Sequence, residues 1–287
     1  MSHLPPLASI ILLASVAGFA SSMLGGLIAL FISPPGKKFI GITFIFTASI
    51  LLTLVFVDFI PHAIGHGHYH INIDPMTGAM YQYWHQHHGA GIELTVVGLL
   101  IGIALIMTLN HFDRYGHEHI HGVLPHNADC SHDELSKAEK KRVRAIAFPV
   151  ALAIILHDFP KGLAIGSAGS VFAALLIGLS CIPEGMTIAM PLKAGGVKAW
   201  KILSVCGIAG AATVAGAVVG YLIGGINVYI SGMMFAIAAG CILGVVFSEL
   251  MPLAMEYAGR TRWKLPVMIV AVALVVLLDH FLHHLMH

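Results

Sequence analysis

The sequence predicts an all-α membrane protein in which eight transmembrane helices form one bundle. Hydrophobic residues make up 57% of the 287 positions and charged residues only 10%, a composition typical of membrane proteins and not of soluble globular domains. The apolar residues lie in long runs of about 20 residues, the length that an α-helix needs to cross a bilayer. Short runs of alternating polar and apolar residues, which a membrane β-barrel requires, are absent from the sequence. The eight predicted spans are residues 7–32, 39–64, 91–109, 145–168, 170–192, 202–224, 228–254 and 265–285.

The first span is expected to remain in the protein as a helix. A secretory signal peptide carries basic residues before its apolar core, whereas Lys37 and Lys38 follow this span. We therefore expect the N-terminus to lie outside the membrane.

The positions of Lys and Arg predict that both termini lie outside. With this orientation, fourteen of the fifteen basic residues fall in inward loops, in agreement with the positive-inside rule. The exception is Lys161, which lies inside the fourth span.

Two pairs of spans carry matching motifs. The sequences DFIPHA (58–63) and ELMPLA (249–254) lie in spans two and seven, and DFPKG (158–162) and CIPEG (181–185) lie in spans four and five. The two spans of each pair cross the membrane in opposite directions. The motifs therefore predict an inverted repeat around helices four and five, an architecture common in secondary transporters.

The motifs of spans four and five concentrate ionisable residues at membrane depth. Lys161 follows His157 by four positions and Asp158 by three, so these residues share one helix face, as do Cys181 and Glu184, which are three positions apart. Charged groups are costly in a bilayer and are functional candidates by default. Histidine with carboxylates, and with a thiolate, suits Zn²⁺ and similar divalent ions. The alternative is a structural ion pair between Lys161 and Asp158 or Glu184.

Three further residues lie near the ends of spans two and seven. Asp58 and His62 are expected near the outer face, where they would attract ions, and Glu249 is expected near the inner face. Solvation of helix ends is the alternative role. A His-rich cytoplasmic loop is predicted at about 110–144, and short His clusters at 66–70 and 85–88 flank the outer loop.

The stretches HDFPKGLAIG (157–166) and SCIPEGMTIAMPL (180–192) resemble the paired fourth- and fifth-helix signatures of the ZIP family of divalent metal transporters. The resemblance covers nearly the whole chain and implies one transporter domain, residues 1–287, with a metal site between helices four and five. The residues that match metal-site positions of the family are His157, Asp158, Ser180, Cys181 and Glu184.

The sequence departs from the family pattern at four places. Ser180 stands where the family commonly has an amide or a histidine, and near Cys181 the family often has oxygen donors such as Asp or Asn. Lys161 stands where the family commonly has a carboxylate, and the sixth span contains no acidic residue, with Thr213 at the matching position. We therefore expect a site for one metal ion, in which the ammonium of Lys161 supplies the charge of a second.

These observations predict a transporter, not an enzyme, that moves a divalent transition metal ion inward across the plasma (inner) membrane by alternating access. Zn²⁺ is the expected substrate, Fe²⁺ and Mn²⁺ are alternatives, and proton exchange is one option for the energy source. No prosthetic group and no nucleic-acid partner are expected, and the bilayer is the surrounding medium.

A membrane-embedded metallohydrolase and a non-metal proton-linked transporter are the competing hypotheses. Small residues at 207–220 fit either a homodimer contact or packing inside the bundle.

Overall fold

The computed structural model describes residues 7–32, 36–65, 67–73, 80–86, 91–117, 137–224 and 228–286, and these residues form an all-helical bundle with one short hairpin. Eight helices are long and apolar enough to cross a membrane, which confirms the eight predicted spans. The helices are α1 (Leu7–Phe31), α2 (Lys37–Ile64), α3 (Gly91–His117), α4 (Lys137–Ala168), α5 (Val171–Ala194), α6 (Ala199–Gly224), α7 (Tyr229–Ala258) and α8 (Lys264–Met286).

The connections differ from the predicted loops in two places. Helix α3 continues to His117 and α4 begins at Lys137, so both ends of the predicted cytoplasmic loop are helical. The Lys, Ala, Glu and Arg residues that begin α4 are strong helix formers and extend the helix beyond its apolar span. The rest of the loop, residues 118–136, lies outside the described residues.

The connection between α2 and α3 contains an antiparallel hairpin that was predicted as a loop. Its strands are β1 (Gly67–Ile73) and β2 (Met80–Gln86), and His68 is paired with His85. Tyr69 and two isoleucines on β1, and three aromatic residues on β2, favour extended structure. The register places His68 and His70 of one predicted His cluster on the strand next to that of His85 from the other cluster, and the remaining histidines of both clusters, residues 66, 87 and 88, lie outside the described residues.

Helices α2, α4, α5 and α7 form the buried centre, whereas α3 and α8 expose apolar side chains to the surroundings, as lipid-facing helices do. Close packing around the centre depends on glycine. A Cβ atom on Gly162 of α4 would lie 2.0 Å from the carbonyl oxygen of Thr213, and one on Gly185 of α5 would lie 2.3 Å from that of Ser22. Helices α6 and α1 therefore press directly against the two motif helices.

The small-residue stretch of α6 packs inside the bundle. Cβ atoms on Gly216 and Gly220 would lie 2.1 and 2.3 Å from the carbonyl oxygens of Phe159 and Leu163 on α4. The structure thus uses these glycines for helix packing within one chain.

Substitution of Gly162 by alanine is expected to lower the free energy of unfolding by about 1–3 kcal/mol, because the added methyl group must separate α4 from the backbone of α6. Gly207→Ala is the matched control, since its nearest neighbour is a side-chain atom of Phe19 at 3.4 Å. Thermal unfolding of both variants in detergent would measure the difference. Equal stability of the two variants would contradict the tight α4–α6 contact.

Two π-helical turns lie at matching positions of the motif shared by α2 and α7. They span Val55–Phe59 and Val246–Leu250, and each holds an acidic residue, Asp58 or Glu249, at its fourth position. In each turn the next backbone N–H, of Ile60 or Met251, donates to the carbonyl five residues earlier. A proline follows one residue later in both helices. Because π-helical turns occur frequently at functional sites, both acids are candidates for a functional role.

Candidate metal centre

Four ionisable side chains of α4 and α5 meet inside the bundle. His157, Asp158 and Lys161 lie on α4, and Glu184 lies on α5. The spacing on α4 places its three residues on one face, and each of the four residues has an exposed fraction of 0%. The lysine and the two carboxylates are therefore buried together, as charge compensation at membrane depth requires.

The side chains of Lys161 and His157 approach the same two carboxylate oxygens. Lys161 Nζ lies 2.6 Å from Asp158 Oδ1 and 2.5 Å from Glu184 Oε2. His157 Nε2 lies 3.7 Å from each of these oxygens. A cation bound at His157 would therefore share both carboxylates with the ammonium group.

The orientation of the His157 ring is fixed by its own helix. Nδ1 lies 3.1 Å from the carbonyl oxygen of Ala153, one turn earlier. Because a carbonyl oxygen only accepts hydrogen bonds, Nδ1 carries a hydrogen, and Nε2 is the ring nitrogen that faces the carboxylates and is left for a metal ion. Ligating histidines in metal sites are held in the same way, with the second ring nitrogen bonded to a carbonyl or carboxylate.

Several polar atoms of this group have no hydrogen-bond partner. Among the described residues these are His157 Nε2, Asp158 Oδ2 and Glu184 Oε1, whereas Asp158 Oδ1 has the ammonium of Lys161 as its ion-pair partner at 2.6 Å. One ligand atom from each of His157, Asp158 and Glu184 lies within 4.8 Å of the other two. One imidazole nitrogen with carboxylate oxygens is a donor set that Zn²⁺ accepts, and a bound cation would satisfy the unpaired atoms.

Ser180 and Cys181 occupy different positions from the other predicted ligands. The Ser180 hydroxyl donates to the carbonyl oxygen of Ile177 at 2.8 Å, so its hydrogen is used within α5. Cys181 is fully buried but is not one of the three described residues whose ligand atoms converge. The structure therefore groups His157, Asp158, Lys161 and Glu184, and Cys181 is not among the residues whose ligand atoms converge there.

The other predicted residues lie on different helices. Asp58 is buried on α2, and His62, one turn later, contacts it through Nδ1 at 3.1 Å from Oδ1. Glu249 is partly exposed on α7. None of these residues belongs to the convergent group of the described chain.

Two threonines near the centre were missed by the sequence analysis. Thr47 of α2 donates to the carbonyl oxygen of Pro183 at 3.1 Å, and its hydroxyl oxygen lies 2.7 Å from that of Thr187 on α5. Both threonines are fully buried. This link joins α2 to Pro183, the residue that precedes Glu184. The recurrence of threonine along α2 is the sequence feature that could have indicated a polar contact of this helix with the centre.

Thr213, which stands where the sixth helix of the family often has an acid, is fully buried on α6. Its hydroxyl group has no hydrogen-bond partner among the described residues. The side chain packs against Gly18 of α1, where a Cβ atom would lie 2.5 Å from Thr213 Cβ. Helices α1 and α6 thus meet at this residue.

The protein-family comparison matches residues 111–275 to the model described as "ZIP Zinc transporter". This region includes all of α4, α5, α6 and α7, and hence the four ionisable side chains of the centre.

Similar proteins in three bacteria are each called "Zinc transporter ZupT". The protein of Corynebacterium efficiens is 27% identical over 253 residues, which cover 85% of this chain and 86% of the relative. That of Enterobacter sp. strain 638 is 28% identical over 257 residues, 86% of this chain and 88% of the relative. That of Streptococcus mutans is 25% identical over 254 residues, 86% and 87% of the two chains.

Proposed function

The chain belongs to the ZIP zinc transporter family, and from this premise we propose that it carries Zn²⁺ through the site formed by His157, Asp158 and Glu184. It is a multi-pass membrane transporter and not an enzyme. The metal ion is its substrate, and Fe²⁺ or Mn²⁺ fits the same nitrogen and oxygen donors with lower preference.

The observation that carries the proposal is the convergence of one imidazole and two carboxylates in a fully buried group. Three protein ligands leave a fourth position of a tetrahedral Zn²⁺ ion for water. An ion held in this way exchanges more readily than one in a closed four-residue site. A transport site must release its ion in each cycle, whereas a structural site retains it.

The same group supports a site for one metal ion. The positive charge of Lys161 already lies within 2.6 Å of both carboxylates, where a second cation would otherwise be held. Two divalent ions beside an ammonium group would be strongly repelled at this depth. We therefore propose one Zn²⁺ ion per chain at this centre.

Burial of the centre favours alternating access. Because His157, Asp158 and Glu184 have no exposed surface, an ion reaches them only when the bundle opens toward one face. The basic residues favour an orientation with both termini outside and transport into the cytoplasm. In this orientation Glu249 lies on the inner half of α7 and is proposed to receive the ion as it leaves.

Metal uptake into proteoliposomes tests this function. Purified protein in vesicles that contain a Zn²⁺-sensitive dye is expected to give saturable Zn²⁺ uptake, with little uptake of Mg²⁺ or Ca²⁺, because these hard ions prefer sites made of oxygen alone. Empty vesicles and the exposed-residue variant Glu256→Gln are the controls. Proton flux without movement of any divalent ion would contradict the proposal and favour a non-metal proton-linked transporter.

A further inference from the structure

The threonines of α2 use their hydroxyl groups in two different ways. Thr43 donates to the carbonyl oxygen of Phe39 at 3.1 Å, and Thr53 donates to that of Ser49 at 2.8 Å, so both bond the carbonyl one turn earlier in their own helix. This is the ordinary option for a helical threonine. Thr47 instead donates to a carbonyl oxygen of α5. The hydroxyl group of Thr47 therefore makes a contact between helices.

The acceptor of this bond belongs to the peptide unit that joins Pro183 to Glu184. Thr47 Oγ1 lies 3.1 Å from the carbonyl oxygen of Pro183 and 2.7 Å from Oγ1 of Thr187. Because a hydroxyl group has one hydrogen and Thr47 donates its own to Pro183, the hydroxyl group of Thr187 donates to Thr47. Two hydrogen bonds in series therefore connect α2 to the turn of α5 that carries Glu184.

The proline makes the position of this turn depend on neighbouring helices. Pro183 lies inside α5 and has no N–H group, so the ladder of helical hydrogen bonds is interrupted next to Glu184. The backbone of α1 packs against the same turn, since a Cβ atom on Gly185 would lie 2.3 Å from the carbonyl oxygen of Ser22. Packing against α1 and the hydrogen bond from α2 thus hold the turn where its own helix is weakened.

The position of Glu184 matters because its carboxylate must meet groups on another helix. Glu184 Oε2 lies 2.5 Å from Lys161 Nζ and 3.7 Å from His157 Nε2, and both of these residues belong to α4. These three side chains, and those of Thr47 and Thr187, are fully buried. Hydrogen bonds in such surroundings are stronger than in water. A displacement of the α5 turn would move the carboxylate relative to the other ligand atoms of the centre.

We propose that Thr47 is a positioning residue of the metal centre, because its hydroxyl group holds the peptide unit before Glu184 and so places the carboxylate beside His157. Partners that orient metal ligands contribute about 10–100-fold to metal affinity. The proposal rests on the proposed function and adds to it a residue that acts on the bound ion only through Glu184.

Substitution of Thr47 by valine tests the proposal, since valine keeps the shape of threonine and lacks the hydroxyl group. The carbonyl oxygen of Pro183 lies one turn before Thr187, so the Thr187 hydroxyl group can donate to it within α5. We therefore expect the variant to fold and to lose only the connection to α2. The Zn²⁺ affinity of the centre is expected to fall about 10–100-fold.

Two further variants identify the hydrogen bond as the cause. Thr47→Ser retains the donor and should restore an affinity close to that of the unmodified protein. Thr43→Val is the matched control on the same helix, because the Thr43 hydroxyl group bonds within α2, and it should leave the affinity unchanged.

Zn²⁺ titration of the full-length protein in detergent measures this affinity. Each variant is compared with the same variant carrying His157→Ala, so that binding by the other histidines of the chain is subtracted. Zn²⁺ uptake into proteoliposomes gives a second readout, in which loss of positioning raises the half-saturating Zn²⁺ concentration more than it lowers the maximal rate. A purely structural role of Thr47 would lower the amount of folded protein and the maximal rate without changing the half-saturating concentration.

A Zn²⁺ affinity of Thr47→Val within about 10-fold of that of the unmodified protein would overturn the proposal. An equal loss in Thr47→Ser or Thr43→Val would also overturn it, because the effect would then come from the packing of α2. If Thr47→Val does not fold, Thr47→Ala removes the same hydroxyl group and is judged by the same threshold. Failure of the proposed transport function has a different signature, since the unmodified protein would then take up no Zn²⁺.

Discussion

Replacement of His157 or Glu184 by alanine is expected to reduce Zn²⁺ uptake by more than about 100-fold while the protein remains folded. Loss of a residue that only orients a metal ligand costs about 10–100-fold in affinity or activity, and loss of a ligand itself is expected to cost more. Lipid and apolar side chains cannot replace the missing donor, since the site is fully buried.

The charges of the centre explain why these variants should fold. Glu184→Ala leaves the ammonium of Lys161 paired with Asp158 at 2.6 Å, so no charge is left without a partner. His157→Ala leaves both ion pairs of Lys161 intact. Both variants are expected to elute as a single species in detergent, with the helix content of the unmodified protein.

Proteoliposome uptake and thermal unfolding of the same preparations test this expectation. Ser180→Ala is the matched control, because its hydroxyl group is already bonded to Ile177 and it should retain at least half of the uptake rate. Near-normal uptake by His157→Ala or Glu184→Ala would place the transport site elsewhere.

The spans and the central group were predictable from the sequence for a physical reason. Helix periodicity fixes which residues share a face, and the bilayer fixes the length of each span. His157, Asp158 and Lys161 therefore had to lie on one face of α4. The proximity of Glu184 to that face depends on how α5 packs against α4, and the paired motifs and the family resemblance supplied this information.

The hydrogen-bond partners of individual side chains and backbone groups could not be predicted from the sequence. Spacing alone made Ser180 a ligand candidate, whereas its hydroxyl bonds to its own helix, an option that serine has at any helical position. The partnership of Thr47 with Pro183 depends on contact between residues far apart in the sequence. The π-helical turns were also not anticipated, because they follow from backbone hydrogen bonds that the repeated motif does not specify.

Replacement of Lys161 by methionine is expected to make the stability of the protein depend on bound metal. The ammonium group lies 2.6 Å from Asp158 Oδ1 and 2.5 Å from Glu184 Oε2, closer to both carboxylates than His157 Nε2 at 3.7 Å. Its removal leaves two buried carboxylates without that charge, and loss of one partner of a buried ion pair costs about 3–5 kcal/mol. A Zn²⁺ ion supplies positive charge at the same oxygens. Zn²⁺ should therefore raise the unfolding temperature of Lys161→Met much more than that of the unmodified protein.

Lys161→Glu tests the same idea through the number of ions bound. The substitution exchanges a fixed positive charge for a third carboxylate, so the centre should change from one bound Zn²⁺ ion per chain to two. Metal content and thermal unfolding with and without Zn²⁺ measure both variants, and Lys198→Met is the control because that lysine is exposed. The free energy of unfolding of this control variant should change by no more than about 0.5 kcal/mol.

If metal-free Lys161→Met were as stable as the unmodified protein, and Lys161→Glu bound no additional ion, Lys161 would not act as the second cation of the centre. The charge balance of Asp158 and Glu184 would then have to come from protonation of the carboxylates themselves.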